Sequence, residues 1–508
     1  MTNIYEAMQT RFPADPQRPF ATLPAGHVVT YADVEARSAA FAHVLAQMGV
    51  GIGDRVAVQA DKSIDMLMLY LGSVRAGAVF LPLNTAYTAH ELDYFMRDAE
   101  PALFVCSTAK RGAIEPLARA AGVTHVEDLD DHGTGSLSRL ADAAPTHFAT
   151  VARQADDLAA ILYTSGTTGR AKGAMLSHGN LLSNAETLTD YWRFTGGDVL
   201  LHALPIFHTH GLFVATNIIL CAGASMLFVP QFDAATVMAL LPRATAMMGV
   251  PTFYIRLLGE AGFTRDLVTG MRLFISGSAP LSADIHREFR ERTGHAILER
   301  YGMTETNMNT SNPYDGDRVA GTVGLPLPGV SVRIADPETG AILPQGEIGV
   351  IEVMGPNVFQ GYWRMPEKTA SEFHDGFFIT GDLGLIDERG YVAIVGRAKD
   401  LIIAGGYNIY PAEVETVLDE LPEVRESAVI GVPHGDMGEA VVAVVVPRDR
   451  ALADEAAIKA AVAPILARFK QPRRIVFVDE LPKNSMGKVQ KTVLRDRYGD
   501  IFLAARAD

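Results

Sequence analysis

The sequence predicts an α/β protein, with a large N-terminal domain of layered α/β subdomains, a small β-barrel-like subdomain and an α+β C-terminal domain. Three observations predict it. Short apolar runs alternate with helical patterns through the first 300 or so residues. From about residue 320 the texture turns to short β-rich runs cut by Gly and Pro, as in "AGTVGLPLPGVSVRIADPETGAILPQGEIGVIEVMGPNVFQGYW". After "GRAKD" (396–400) the order becomes helix, strand, strand, helix, strand, which suits a compact α+β unit of about 110 residues with its own core.

In "TYADVEARSAAFAHVLAQMG", Val34, Ser38, Phe41, Leu45 and Met48 fall near one helical face. Thr30 with Asp33 makes a capping box, and Gly49 a stop. "RVAVQA" (55–60) and "AVFLPL" (78–83) are expected strands, and "SIDMLMLYLGSVRAG" (63–77) a buried helix between them. Such alternation favours largely parallel sheets. The rhythm returns in "LAAILY" (158–163), "MRLFIS" (271–276) and a helix from Ser282 to Arg292. Tyr301-Gly302-Met303-Thr304-Glu305 is expected to be a loop. In the C-terminal unit, "PAEVETVLDEL" and "DEAAIKAAVAPILARF" predict helices, and "VRESAVIGV", "AVVAVVVP" and "RRIVFV" strands. No internal repeat or low-complexity tract is present.

At 508 residues the chain has room for two to four domains; the expected division is 1–396 and 397–508. Apolar residues make up 48% and charged residues 20%, enough for a large core. A net charge of −15 argues against nucleic-acid and anionic-membrane binding, though a local basic site still admits anionic substrates. Cys106 and Cys221 stand far apart, without CxxC spacing, and are expected to be buried small hydrophobes in a reducing compartment. The N-terminus lacks an apolar signal region, and no apolar run reaches ~18 residues, so a cytoplasmic protein without a membrane span is expected.

The most specific signal is "LAAILYTSGTTGRAKGAMLSHGNLL". A strand-like run leads into Thr164, Ser165, Gly166, Thr167, Thr168 and Gly169, with Lys172 following. Glycines admit backbone N–H groups close to phosphate oxygens, hydroxyls add donors, and the lysine adds charge. The spacing departs from GxxxxGK[ST], which disfavours an ordinary P-loop. This stretch resembles the signature loop of the acyl-adenylating superfamily, which includes acyl-CoA synthetases, peptide-synthetase adenylation domains and luciferases. "ISGSAPL" (275–281), "YGMTE" (301–305), "TGDLG" (380–384), "GRAKDLIIAGGYNIYPAEVE" (396–415) and "NSMGKVQK" (484–491) follow in that family's order, so the resemblance spans nearly the whole chain.

The resemblance implies ATP, Mg²⁺ and coenzyme A as reactants, an acyl-adenylate intermediate, and a mobile C-terminal domain. It implies that Thr164 to Lys172 hold the β- and γ-phosphates. Gly277, Ser278, Ala279 and Glu299, Arg300, Tyr301 and Gly302 would flank adenine, with Met303 in the same nucleotide set. Thr304 would touch the α-phosphate, and Glu305 would ligate Mg²⁺ directly or through water. Asp382 would bind ribose with Arg397 assisting; a turn residue and a salt bridge remain the plain alternatives, as a helix N-terminal carboxylate does for Glu305. Lys488 takes the catalytic lysine position, although without the resemblance it reads as a solvated surface lysine. A lysine acetyltransferase and deacetylase acting on Lys488 are possible partners. Lys399 matches the hinge, and Gly405, Gly406 and Tyr407 the coenzyme A tunnel. Among His202, His208 and His210 no metal spacing appears; His208 matches a position beside the reacting carboxylate, and His210 is expected to be structural.

Arg300 stands out, because an uncompensated buried charge is costly and a guanidinium suits a carboxylate in a two-pronged way. A substrate with a second carboxylate accounts for it; pairing with Glu299, or reaching outward, is the local alternative. "ERYGMTETNMNTSNPYDGDRVAGTVGLPLPGV" and "LPIFHTHGLFVATN" also resemble malonyl-CoA synthetases, which points to malonate or methylmalonate, with succinate still open. Ser278 and His208 join Arg300 as substrate candidates, and Arg318 is a reserve for the distal carboxylate. A monocarboxylate–CoA ligase, a carrier-protein-loading adenylation domain and a non-catalytic adenylate sensor are the rival readings.

Overall fold

A computed structural model of the chain describes residues 3–164, 171–404, 407–434, 437–466, 468–484 and 487–502, without the side chains of Tyr407, Asn408 and Leu452. The predicted alternation builds two large sheets. One has six strands in the order His125–Leu129, Leu103–Ser107, Arg55–Gln59, Val79–Pro82, Leu158–Thr164 and Lys172–Ser177. It is parallel except for its last pair. The other has nine strands, with Leu298–Met303, Leu273–Ser276, Ala246–Gly249, Val199–His202, Ser225–Phe228 and Pro19–Thr22 parallel in its middle. Antiparallel strands close both of its edges. Parallel strands are covered on both faces, so they read as continuous apolar runs; all four residues of Leu273–Ser276 are buried.

Helix Tyr31–Gln47 starts at the predicted Thr30–Asp33 capping box, and Gly49 follows it at φ 75°. It packs against the buried helix Ile64–Arg75. Gly72 makes that approach possible, since a Cβ there would lie 2.8 Å from the Phe41 Cβ. Beyond residue 320 an antiparallel sheet forms from Ser331–Ala335, Gly349–Met354, Phe377–Ile386, Phe373–His374 and Val392–Arg397, around a small core that includes Ile351 and Val353. In the C-terminal unit, Val441, Ala443 and Val445 enter one core, while Val442, Val444 and Val446 enter another. That period of two explains why "AVVAVVVP" is apolar throughout: both faces of its strand are covered.

Two elements differ from expectation. The helix in "DEAAIKAAVAPILARF" runs only over Glu455–Val462, because Pro464 cannot continue it. Tyr301, Gly302 and Met303 are not loop but the end of strand Leu298–Met303, and only residues 304–306 turn. Strand pairing with Asn307–Ser311 carries Tyr301 to Met303, and a bulge between Tyr301 and Gly302 tightens the turn. Gly302 is required there, since a Cβ would fall 1.9 Å from the Asn307 carbonyl oxygen. Cys106 and Cys221 are free and buried. Among the described residues no helix is long and apolar enough to cross a membrane.

Candidate active site

The candidate residues gather beyond the C-terminal ends of the nine-stranded sheet's parallel strands, the usual site in open α/β sheets. Strand Leu273–Ser276 leads into Gly277 and Ser278, and Leu298–Met303 carries Arg300 beside them. The contact is close: a Cβ on Gly277 would lie 2.4 Å from the Arg300 Cζ. Ser278 holds the left-handed conformation at φ 71°, a strained position for a side-chain-bearing residue and one that clusters at functional sites. Its hydroxyl lies 3.3 Å from His210 Nδ1.

Arg300 is 3% exposed, and its Nε and Nη2 have no hydrogen-bond partner among the described residues. Burial lowers its pKa to about 9, which leaves it charged at neutral pH. Glu299 does not pair with it. Burial raises the Glu299 carboxyl to about 8, so it is mostly protonated at pH 7. Arg318, the reserve, is engaged with backbone: its guanidinium donates to the carbonyls of Pro313, Ala296 and Tyr314 at 3.4, 2.7 and 3.1 Å. Those contacts tie it to its own loop and to the segment before strand Leu298–Met303.

His208 lies at the same place. Its Nδ1 accepts from the His210 N–H at 3.3 Å, so the neutral ring carries its proton on Nε2. Burial first, then the Arg300 and Lys488 charges, lower its pKa to about 4. His208 is therefore a neutral hydrogen-bond donor at pH 7.

On the opposite side, Asp382 is buried within strand Phe377–Ile386 and is not a turn residue. It accepts from the Tyr301 hydroxyl at 2.6 Å and from Arg397 Nε at 2.6 Å, its cross-strand partner. Glu305 sits in the turn between two strands, not at a helix N-terminus. It is 5% exposed and accepts from Thr164 Oγ1 at 3.2 Å and the Tyr362 hydroxyl at 3.0 Å. Burial raises its pKa. A buried carboxylate without an ion pair among the described residues suits Mg²⁺, whose other ligands would be phosphate oxygens and water. Lys172 is buried above the Tyr362 ring at 4.1 Å, with Glu372 3.6 Å away.

Gly302, Met303, Thr304 and Ala279 are half-buried. Ser165, Gly166, Thr167, Thr168 and Gly169 lie outside the described residues, as do Gly405, Gly406 and the Tyr407 side chain. Lys399 is exposed in the short turn Ala398–Asp400. Lys488 sits in a turn closed by Asn484, whose N–H donates to the Lys488 carbonyl and whose Oδ1 accepts the Lys488 N–H, both at 2.9 Å. The same turn touches the large domain, for a Cβ on Gly487 would lie 3.1 Å from Thr252 Oγ1. Lys488 keeps solvent access along its side chain, yet burial around its ammonium first, and the Arg397 guanidinium second, lower its pKa. Sequence reasoning missed Tyr362 and Lys62, because no motif spacing marks them. A buried tyrosine hydroxyl that needs a partner was the one available signal.

Arg300, His208, Arg397 and Lys488 converge beside the buried Glu305 carboxylate, an arrangement suited to activating a carboxylate with a nucleoside triphosphate. The chain belongs to the AMP-binding enzyme family: that family's model matches residues 9–363, and its C-terminal-domain model matches residues 413–488. The Malonate–CoA ligase of Arabidopsis thaliana is 34% identical over 476 residues, covering 87% of this chain and 78% of that one. The Long-chain-fatty-acid–CoA ligase of Bacillus subtilis is 33% identical over 499 residues, covering 91% and 89%. ATP-bound MatB from Rhodopseudomonas palustris superposes with a TM-score of 0.97 at 60% identity over 99% of this chain and 100% of that one. Apo MatB, at the same identity and coverage, gives 0.86. This chain thus superposes more closely on the ATP-bound structure than on the apo one.

Proposed function

We propose that the chain ligates malonate to coenzyme A in two half-reactions. Malonate and ATP give malonyl-adenylate and pyrophosphate; the coenzyme A thiol then displaces AMP and gives malonyl-CoA. The observation that carries the choice of acid is the buried, charged Arg300 guanidinium, whose Nε and Nη2 have no hydrogen-bond partner among the described residues, beside His208. Relatives as similar as 34% and 33% overall are named for malonate and for long-chain fatty acids, so whole-chain likeness at that level does not choose the acid. The buried cation at Arg300 supports the diacid. Methylmalonate differs by one methyl and is the expected second substrate.

In this reading Arg300 receives the distal carboxylate two-pronged, and the His208 Nε2–H orients the reacting one. Lys488 and Arg397 bring positive charge to the α-phosphate and carboxylate, which are both negative and must meet. Mg²⁺ at Glu305 supplies further neutralisation of phosphate charge when bound. Asp382, buried and held by Tyr301 and Arg397, takes the ribose hydroxyls in this reading.

The domain division at 396/397 and the hinge at Lys399 belong to the same proposal, as does the coenzyme A tunnel at Gly405, Gly406 and Tyr407. An exposed Lys399 in a one-turn connection supports the hinge. Lys399→Pro should fix φ near −65° and hinder the swing. The two half-reactions should then fall unequally; a parallel fall removes the hinge. Solvent access at Lys488 supports reversible acetylation there, by a lysine acetyltransferase and a deacetylase. ATP and coenzyme A as reactants, with two free cysteines, support a cytoplasmic setting.

Gly277→Ala tests the acid pocket from its wall. The added methyl would displace the Arg300 guanidinium, and a displacement of that size can cost up to about a hundredfold. The KM for malonate should rise far more than that for propionate. The function itself is tested by coenzyme A ligation across C2–C5 mono- and dicarboxylates. Malonate should lead, methylmalonate should follow, and propionate should trail. A preference for propionate or acetate over malonate overturns the diacid.

A further inference from the structure

Lys62 turns its amine inward just before helix Ile64–Arg75. It donates to the carbonyls of His202 and Val229 at 2.9 and 2.7 Å, and lies 3.1 Å from His202 Nδ1. The Phe228 ring sits 4.4 Å below it. No carboxylate pairs with it among the described residues, and burial pulls its pKa well below the ordinary lysine range. A lysine held at that cost has a task, and the contacts show where it leads.

With Lys62 as donor, His202 Nδ1 accepts, so the ring's proton stands on Nε2. Nε2 lies 2.9 Å from the Gly211 carbonyl oxygen, which also accepts from Thr216 Oγ1 at 3.0 Å. Gly211 lies in the π-helical turn His210–Thr216, a rare geometry often found at functional sites. It is pressed against Pro205, where a Cβ would be 2.1 Å from the carbonyl oxygen. The residue before it, His210, reaches Ser278 and holds the His208 ring through its N–H.

The geometry points to Lys62 and His202 as positioning residues: by fixing the His202 tautomer they anchor the π-helical turn, and so the His208 and Ser278 side of the acid pocket. This rests on the acid site proposed above. Lys62→Met keeps the side-chain length and removes the donor. It is expected to raise the KM for the acid by about ten- to a hundredfold, with the KM for ATP nearly unchanged. Histidine ¹⁵N spectra should show His202 changing from one tautomer to a mixture. Equal rises in both KM values, or neither rising in a folded variant, overturn the assignment.

A second pair of variants decides the matter if Lys62→Met does not fold. Glutamine at 202 still presents a donor where Nε2 stood, and asparagine does not. His202→Gln should retain acid affinity better than His202→Asn by about tenfold or more; equal losses overturn the proposal. All variants are assayed with whichever acid the wild-type enzyme prefers. An error in the choice of malonate then shows in the wild-type profile, and an error in Lys62 shows only in the variants.

Discussion

Lys488→Ala is expected to lose ATP–pyrophosphate exchange by about a hundred- to a thousandfold, the size of effect seen when one preorganised charge-stabilising donor is removed. Supplied malonyl-adenylate and coenzyme A should still react at a substantial rate. The reason is geometric. The Lys488 turn lies against Thr252, and the ammonium lies within electrostatic reach of Arg397 and His208. The Arg397 charge helps lower the Lys488 pKa, and the Lys488 charge helps lower that of His208, so positive charge crowds this part of the cleft, which anionic reactants complement. The fold should survive within about 0.5 kcal/mol, because Lys488 is exposed at its surface. A folded variant as slow with supplied adenylate as with ATP and malonate would show that Lys488 does not belong to the first step. Acetylated Lys488 should behave as the alanine does, since acetylation removes the charge.

Arg300→Ala is the second large effect. Loss of a charged hydrogen-bonding partner is worth about 1.5–3 kcal/mol, roughly 10- to 150-fold in kcat/KM for malonate. Propionate, similar in length but lacking the second carboxylate, should be little affected. Arg300→Lys should not restore malonate use, because an ammonium lacks the planar fork. Thermal stability gives an independent reading: Arg300 is buried with two unpartnered nitrogens, so replacing it should leave the Tm unchanged or raise it. Equal losses for malonate and propionate would sink the distal-carboxylate role, and a large fall in Tm would mark Arg300 as structural.

Much of the architecture was legible because its causes are local. The Thr30–Asp33 capping box, the stop at Gly49 and the paired apolar runs of the C-terminal sheet depend on residues a few positions apart. The order of chemical motifs was legible for the same reason, and the family model spans residues 9–363 as that order implied. The length of helix Glu455–Val462 was misread by passing over Pro464, a local signal that was present. Tyr362 and Lys62 carried no motif to place them, because each acts on a partner more than fifty positions away.

The sequence by itself determined the kind of chemistry, since glycine-rich, lysine-bearing and carboxylate-bearing segments carry their reactivity wherever they fold. Only the tertiary structure decided what Arg300 faces. In a loop, Glu299 and Arg300 would be free to pair as neighbours. In strand Leu298–Met303 consecutive side chains leave opposite faces, which separates them. Parallel pairing with strand Leu273–Ser276 then sets the guanidinium against Gly277, and the π-helical turn brings His210 to Ser278. Register between strands is settled by burial across the whole sheet, a sum over residues distant in the chain, so no local window of the sequence contains it.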